Sequence, residues 1–122
     1  MYDDNNIFAK IIHGEIPCNK IYEDDKILAF NDINPAAPIH VLVIPKGKYV
    51  SFADFAAQAP AEEVANFFAK AAEIAKSLDT SNGYRIISNH GSDASQTVAH
   101  FHLHILAGKQ LGGLIPNDEL VR

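Results

Sequence analysis

Apolar residues recur along this chain with two different periods, and the two periods predict two kinds of element. Spacings of three and four residues predict a short helix at 7–12 and a long helix at 61–78. Alternating or continuous apolar residues predict five β-strands, at 20–23, 26–33, 39–45, 84–89 and 99–107. A short helical turn is expected at 51–55.

The order of these elements favours a single α+β domain. Short, hairpin-like connections predict a mostly antiparallel five-stranded sheet with one long helix on a face and a short N-terminal helix. The long helix carries a wide apolar stripe, which is typical of a core or a subunit interface. The domain is expected to span 1–122. About 111–122 is predicted to be an irregular tail, because it contains Gly112, Gly113 and Pro116.

Composition and charge exclude several classes of function. The 122 residues are 48% hydrophobic and 20% charged with a net charge of −5, so the chain lacks a basic footprint for nucleic-acid binding. No apolar stretch approaches the ~20 residues of a membrane span. The sequence begins with acidic residues, unlike a signal peptide, and its one cysteine, Cys18, cannot form an internal disulfide. We therefore expect a cytoplasmic protein.

Three of the six histidines alternate with apolar residues in the last predicted strand. Because residues two apart in a strand point to the same side, His100, His102 and His104 are predicted to share one face. The apolar residues between them then face the core. This strand is the predicted site of chemistry, and His40, at the start of the central strand, is a fourth candidate.

The residues alone leave three interpretations of the histidine face open: an ordinary solvated surface, a metal site, or a nucleophilic site. Two histidines two residues apart can bind one zinc ion with His40 as a third ligand, but the outer pair of the triplet are about 13 Å apart along the strand. An imidazole nitrogen is also a nucleophile that forms a labile bond to phosphorus. The preceding loop adds neutral polar groups suited to a phosphate, namely Asn89, Ser95, Gln96 and Thr97.

The segment His100-Phe101-His102-Leu103-His104-Ile105-Leu106 resembles the His-φ-His-φ-His-φ-φ signature of the histidine triad (HIT) nucleotide-binding proteins, where φ is an apolar residue. The resemblance covers nearly the whole chain and is nearest to the Hint branch. It is carried by separated blocks in the same order, at 7–12, 15–17, 21–25, 29–33, 35–38, 40–46 and from Gly83 onward. It implies a HIT-like fold and a homodimer formed through the long helix and a strand edge.

The resemblance also implies an activity and a role for each site residue. Similar proteins are purine nucleoside phosphoramidases, hydrolases that cleave adenosine 5′-monophosphoramidates through a nucleotidyl-histidine and release AMP. His102 would be the nucleophile, and His100 and His40 would position it. His104 would contact the phosphate and assist the leaving group. The implied nucleotide-binding residues are Asp32 for the ribose, Phe8, Ile11, Phe30 and Ile33 for the base, and Asn89, Gln96 and Thr97 for the phosphate.

Several positions depart from the family pattern. Thr97 replaces a serine, Ser95 stands where glycine is frequent, and Asn31 stands where histidine is often found. A cysteine pair that binds structural zinc in some bacterial relatives is missing beside Phe8, so we expect no metal site and no cofactor. His104 stands where the nucleotidyltransferase branch has glutamine, which favours hydrolysis over transfer.

Two other functions are kept as alternatives. A dinucleoside polyphosphate hydrolase is the alternative enzyme, and a non-catalytic nucleotide-binding or scaffold protein is the alternative from another class. In each case the expected partners are purine nucleotides, such as AMP, GMP or their phosphoramidates, together with a second copy of the chain.

Overall fold

The computed structural model describes residues 1–120 of the chain. Within this range the elements follow one another in the order α1, β1, β2, β3, α2, α3, β4, β5. The helices are α1 (Ile7–Ile12), α2 (Phe52–Gln58) and α3 (Ala61–Ser77). The strands are β1 (Lys20–Glu23), β2 (Ile27–Asn31), β3 (Ile39–Pro45), β4 (Arg85–Ile87) and β5 (Leu103–Ala107). A single 3₁₀ turn, Ser92–Ala94, lies between β4 and β5.

The five strands form one antiparallel sheet in the order β1-β2-β3-β5-β4. Phe30 of β2 lies opposite Leu42 of β3, which lies opposite His104 of β5. These three side chains therefore share one face, and His104 lies close to the middle of the sheet. The predicted α+β fold with a five-stranded antiparallel sheet is confirmed.

Helices α2 and α3 cover one face of this sheet and form the larger core. The ring of Phe55 on α2 stacks on Phe101, with ring centroids 4.9 Å apart, and also contacts Phe67 on α3. Phe67, Ala71, Ile74 and Ala75 of the apolar stripe of α3 are buried here, whereas Phe68 is 39% exposed. The sheet residues in this core are Ile27, Ala29, Val41, Val43, Leu103 and Ile105.

Helix α1 covers only part of the opposite face. Asn6 caps this helix by accepting a hydrogen bond from the backbone N–H of Ala9 at 2.9 Å, which fixes where the helix begins. Phe8 then packs edge-on against Phe30 at a ring distance of 5.8 Å. Because a six-residue helix cannot cover five strands, a cleft remains beside it.

The histidine strand is shorter than predicted. β5 begins at Leu103 rather than at residue 99, so His100 and His102 precede it. The register that pairs Val43 with Leu103 would bring Pro45 opposite Phe101, and proline has no backbone N–H to continue the ladder. The backbone N–H of Phe101 donates instead to the carbonyl of Tyr49 at 2.7 Å.

Other boundaries differ by smaller amounts. β2 and β4 are narrower than the predicted 26–33 and 84–89, and α2 is longer than the turn expected at 51–55. Residues 111–120 contain no regular helix or strand, as predicted for the tail, and residues 121–122 lie outside the described part of the chain. Among residues 1–120, no helix is long and apolar enough to cross a membrane.

Candidate active site

A cleft of about 340 Å³ lies between α1 and the half-covered face of the sheet. Its wall is mostly apolar, and two histidines and one carboxylate interrupt it. Eight of the residues predicted for the site line it: Phe8, Ile11, Phe30, Asp32, Ile33, Thr97, His102 and His104. Sequence reasoning did not assign the other lining residues, which are Ile7, Ile16, Pro17, Cys18, Asn31, Asn34, Leu42 and Val98.

His102 is held in one defined protonation pattern. Its Nδ1 lies 2.6 Å from the backbone carbonyl oxygen of His100, which can only accept a hydrogen bond. Nδ1 must therefore carry the proton, and in the neutral ring Nε2 is left with a free lone pair. Among the described residues, every fully buried side-chain nitrogen or oxygen has a hydrogen-bond partner. Because Nε2 of His102 has no partner, it is not fully buried and is accessible from the cleft.

His100 occupies a different position from the one expected. Its side chain is fully buried, and both ring nitrogens are engaged away from the cleft. Nε2 lies 2.8 Å from the carbonyl oxygen of Pro45, and Nδ1 lies 2.7 Å from the hydroxyl of Tyr2. The strand predicted at 99–107 would present His100 beside His102 and His104, but the His100 ring does not line the cleft. This residue supports His102 through its backbone carbonyl.

His40 and His104 form a directional chain of hydrogen bonds. The backbone N–H of Ala36 donates to His40 Nδ1 at 3.0 Å, so the proton of neutral His40 is on Nε2. His40 Nε2–H donates a hydrogen bond to His104 Nδ1 at 2.9 Å. His104 consequently carries its own proton on Nε2. The two cleft histidines thus have opposite tautomers, His102 with a bare Nε2 and His104 with an Nε2–H.

Asp32, His40 and His104 form a group whose potential ligand atoms lie within 4.8 Å of one another. A metal ion on His40 Nε2 would require the proton on Nδ1. That nitrogen already accepts the backbone N–H of Ala36, so two N–H groups would then face each other. The hydrogen bonding of His40 therefore opposes metal ligation by this group.

Burial lowers the pKa of each histidine in the triad. Desolvation is the largest cause in all three cases, and it takes the pKa of His100 to about 4. The pKa of His104 is also lowered to about 4, first by desolvation and then by the neighbouring His102 and His40. For His102 the same desolvation lowers the pKa, although the His100 carbonyl and Asp32 oppose it. All three rings are therefore neutral at pH 7.

Asp32 lies half-buried in the cleft wall, just after β2. One carboxylate oxygen accepts the backbone N–H of Asn34 at 2.8 Å, and the other lies 3.4 Å from His40 Nε2. A carboxylate oriented in this way still has free lone pairs for hydroxyl donors entering the cleft.

The loop before the histidines is organised by Gln96. Its amide nitrogen donates to the carbonyls of Val50 and Val98 at 2.7 and 3.1 Å, and its oxygen accepts the N–H of Gly91 at 3.0 Å. Gln96 therefore shapes the loop and does not line the cleft. Asn89, also predicted to contact phosphate, is half-buried and lies outside the cleft lining.

Ser95, also in this loop, has φ of 58°, the left-handed conformation that glycine adopts most readily. A serine adopts this backbone angle at a higher energy than a glycine does. Of the loop residues considered for phosphate binding, Thr97 is the one that lines the cleft.

Sequence reasoning missed three supports of the site. Tyr2 contacts His100 across 98 positions of sequence, Ala36 fixes the tautomer of His40 through its backbone, and the Ser88 hydroxyl donates to the His102 carbonyl at 3.1 Å. A backbone donor or a long-range contact leaves no recognisable pattern in the local sequence, whereas a repeated spacing of apolar residues or histidines does.

A family model described as the HIT domain matches residues 13–111, a range that contains His40 and all three triad histidines. The chain belongs to the HIT family. An uncharacterized 13.2 kDa HIT-like protein of Azospirillum brasilense is 52% identical, over 93% of this chain and 94% of that protein. This membership confirms the family resemblance found in the sequence.

Solved HIT structures match the fold as well as the sequence. A histidine triad protein from Clostridium difficile has a TM-score of 0.80 and 47% identity, covering 93% of this chain and 98% of that one. A HIT family hydrolase from Legionella pneumophila also has a TM-score of 0.80 and 41% identity, covering 87% of this chain and 95% of the Legionella chain.

The depressed pKa values predict how stability depends on pH. Between the ordinary pKa of 6.5 and the folded value of about 4, the unfolded chain binds protons that the folded chain does not. The free energy of unfolding is therefore expected to fall as the pH drops through this window. Each histidine contributes a slope of about 1.4 kcal/mol per pH unit at most. Urea denaturation at a series of pH values measures the slope.

A pair of variants assigns this slope to the site. His104→Gln removes one of the depressed groups and should flatten the curve between pH 6.5 and 4. His90→Gln removes an exposed histidine and should leave the slope as in the wild type. Equal slopes in the wild type and His104→Gln would contradict the pKa assignment.

Proposed function

We propose that the chain is a purine nucleotide-binding hydrolase of the Hint branch, which cleaves the P–N bond of adenosine 5′-monophosphoramidates. The observation that carries this proposal is the hydrogen bond from His102 Nδ1 to the His100 carbonyl. That bond leaves a bare, accessible imidazole nitrogen in a nucleotide-sized cleft. A protein that only binds nucleotides does not require a ring held in its nucleophilic tautomer.

In the proposed first step, His102 Nε2 attacks the α-phosphorus. A bond forms between Nε2 and phosphorus while the bond from phosphorus to the amine nitrogen breaks. The pKa of His102 is lowered by burial, so the ring enters this step without a proton on Nε2. The Nδ1–H stays on the His100 carbonyl throughout and stabilises the positive charge that the phosphorylated ring acquires.

The departing amine needs a proton, and His104 is the group that can supply it. In the free protein this ring is neutral, with a pKa of about 4. The negative charge of a bound phosphate raises that pKa, and Asp32 acts in the same direction. His104 takes up a second proton from solvent on Nδ1 as the substrate binds, and the N–H of His40 Nε2 turns to the Asp32 carboxylate, 3.4 Å away. As an imidazolium, His104 then transfers its Nε2 proton to the leaving nitrogen.

In the second step, water attacks the phosphorus of nucleotidyl-His102. Its proton passes to the neutral His104, the bond between Nε2 and phosphorus breaks, and AMP leaves. Because His102 still carries its Nδ1 proton, the phosphorylated ring is cationic and departs as a neutral imidazole. The two opposite tautomers thus assign one histidine to bond formation and the other to proton transfer.

The cleft has features suited to the nucleotide part of this substrate. Its volume of about 340 Å³ falls in the range of ~300–1,000 Å³ common for small-molecule sites. Phe8, Ile11 and Phe30 offer an apolar surface for a purine, and Asp32 offers acceptor oxygens for ribose hydroxyls. Thr97 brings a hydroxyl to the same cleft. The description of the Legionella pneumophila relative as a hydrolase supports the same reaction class.

A homodimer through α3 and the β4 edge is part of the proposal. β4 is the last strand of the sheet formed by residues 1–120, so within this range one side of its backbone lacks a sheet neighbour. Tyr84 and Ile86 are 45% and 43% exposed beside this edge, and Phe68 on α3 is 39% exposed. Exposed apolar groups beside an open strand edge are suited to pairing with a second copy.

Substitution of His102 tests the nucleophile. His102→Gly is expected to lower kcat by at least about a thousandfold, because it removes the atom that attacks phosphorus. Rapid quenching of the wild type with an adenosine phosphoramidate should reveal, by intact mass, a covalent adduct of one AMP group. The adduct should be missing in His102→Gly.

Two comparisons complete this experiment. His90→Gly, at an exposed loop histidine, should retain wild-type kcat and the adduct. A diadenosine polyphosphate should be the poorer substrate of the wild type. Wild-type turnover in His102→Gly would contradict the nucleophile, and preference for the polyphosphate would favour the alternative hydrolase. Binding of AMP without turnover of either substrate would favour a binding module.

Substitution of Asp32 tests ribose recognition. Asp32→Asn should raise KM about tenfold for the ribose substrate, since its charged hydrogen bonds to hydroxyl groups are weakened. KM for the 2′-deoxyribose substrate should change much less, so the preference for ribose should shrink. Asp25→Asn, an exposed carboxylate in the β1–β2 turn, is the matched control. An equal rise in KM for the ribose and the 2′-deoxyribose substrates would show that Asp32 does not bind the ribose hydroxyls.

A further inference from the structure

The segment before α1 reaches the catalytic histidines through one side chain. The hydroxyl of Tyr2 lies 2.7 Å from His100 Nδ1, and the two rings meet edge to face at 5.6 Å. We propose that Tyr2 is a positioning residue for the His102 nucleophile, because it holds the His100 ring and thereby the carbonyl that orients His102. The role of His102 in this proposal rests on the proposed function.

The direction of the Tyr2 hydrogen bond follows from the other side of the His100 ring. Nε2 faces the carbonyl of Pro45, so it must carry the proton of the neutral ring. Nδ1 therefore has a lone pair, and the Tyr2 hydroxyl donates to it. The low pKa of the buried His100 keeps the ring neutral at pH 7 and preserves this direction.

His100 needs such anchors because its backbone lies outside the sheet. β5 begins at Leu103, so no strand ladder holds His100, and the peptide unit that carries its carbonyl has one backbone hydrogen bond, from the N–H of Phe101 to the carbonyl of Tyr49 at 2.7 Å. The His100 ring adds a hydrogen bond at each nitrogen, one with the Tyr2 hydroxyl and one with the Pro45 carbonyl. Because His102 Nδ1 binds the carbonyl of the same residue at 2.6 Å, a shift of the His100 ring is transmitted directly to the nucleophile.

Tyr2 is itself held by the residues around it. An ion pair of 2.9 Å between Asp4 and Lys48 ties the segment to the connection after β3. Asp3 accepts the backbone N–H groups of Asn5 and Asn6, which leads the chain directly into α1. The hydroxyl thus approaches His100 from an ordered segment, and the segment has a second anchor that does not touch the histidines.

Tyr2→Phe isolates the hydroxyl, because it keeps the ring that packs on His100. The buried Nδ1 would lose its donor, and the His100 carbonyl would be held less firmly, with the Phe101 bond to Tyr49 and the ring contact to Pro45 as its remaining anchors. We expect kcat for the phosphoramidate to fall about tenfold and KM to change less than about twofold. In the absence of substrate, the His102 Nδ1 proton should exchange with solvent faster, as measured by nuclear magnetic resonance.

Asp4→Asn is the matched control, since it loosens the same segment without removing the hydroxyl. It should retain the wild-type kcat and exchange rate. A Tyr2→Phe protein that is folded and has wild-type kcat would overturn the proposal. So would a rise in KM alone, which would make Tyr2 a binding residue, or a loss of thermal stability with kcat unchanged, which would make it a packing residue.

The exchange measurement separates this proposal from the proposed function. If the wild type turns over no phosphoramidate, the proposed function fails, while exchange at His102 still reports on Tyr2. Faster exchange in Tyr2→Phe with no change in Asp4→Asn would then support positioning of His102. Equal exchange rates in all three proteins would overturn it.

Discussion

The candidate site depends on one hydrogen bond, from His102 Nδ1 to the carbonyl of His100 at 2.6 Å. A free imidazole exchanges its proton between two nitrogens, but a carbonyl can only accept, so this contact fixes one tautomer. It also fixes the plane of the ring within the cleft. Because His100 precedes β5, hydrogen bonds from outside the sheet hold that carbonyl in place.

Proline at the end of β3 makes this support necessary. Pro45 has no N–H, so the ladder between β3 and β5 ends at Leu103. The backbone that leads to His102 is then held by other donors: the Phe101 N–H donates to Tyr49, and the Ser88 hydroxyl donates to the His102 carbonyl. The same segment is therefore free of the sheet and still ordered. Two neighbouring histidines can thus turn different ways, His100 into the protein and His102 into the cleft.

Burial and hydrogen bonding act together on the charge state of the site. Desolvation lowers the pKa of all three triad histidines, which keeps them neutral at physiological pH. Neutrality makes the tautomer the property that distinguishes them. Ala36 and His40 then leave His104 with its proton on Nε2, opposite to His102. The cleft thereby presents a hydrogen-bond acceptor, Nε2 of His102, and a hydrogen-bond donor, Nε2–H of His104, on two residues of the same type.

The sequence was informative wherever a pattern repeats. The apolar period located α3 and the sheet, and the alternation of histidines picked out two residues that line the cleft, because these arrangements depend on residues near one another in the chain. It misplaced the His100 ring, since an alternation of two assumes a strand that Pro45 in fact ends. It also overlooked Tyr2, because a contact across 98 positions leaves no local signal. Gln96 was given a phosphate role, whereas its amide binds Val50 and Val98.

The most direct test of the account is the position of the ring protons, measured by nitrogen-15 magnetic resonance of the histidines at pH 7. The account predicts a proton on Nδ1 and a bare Nε2 for His102, with the reverse for His104. A proton on Nε2 of His102, or a charged His102 ring at that pH, would contradict it, because the atom proposed to attack phosphorus would then have no lone pair.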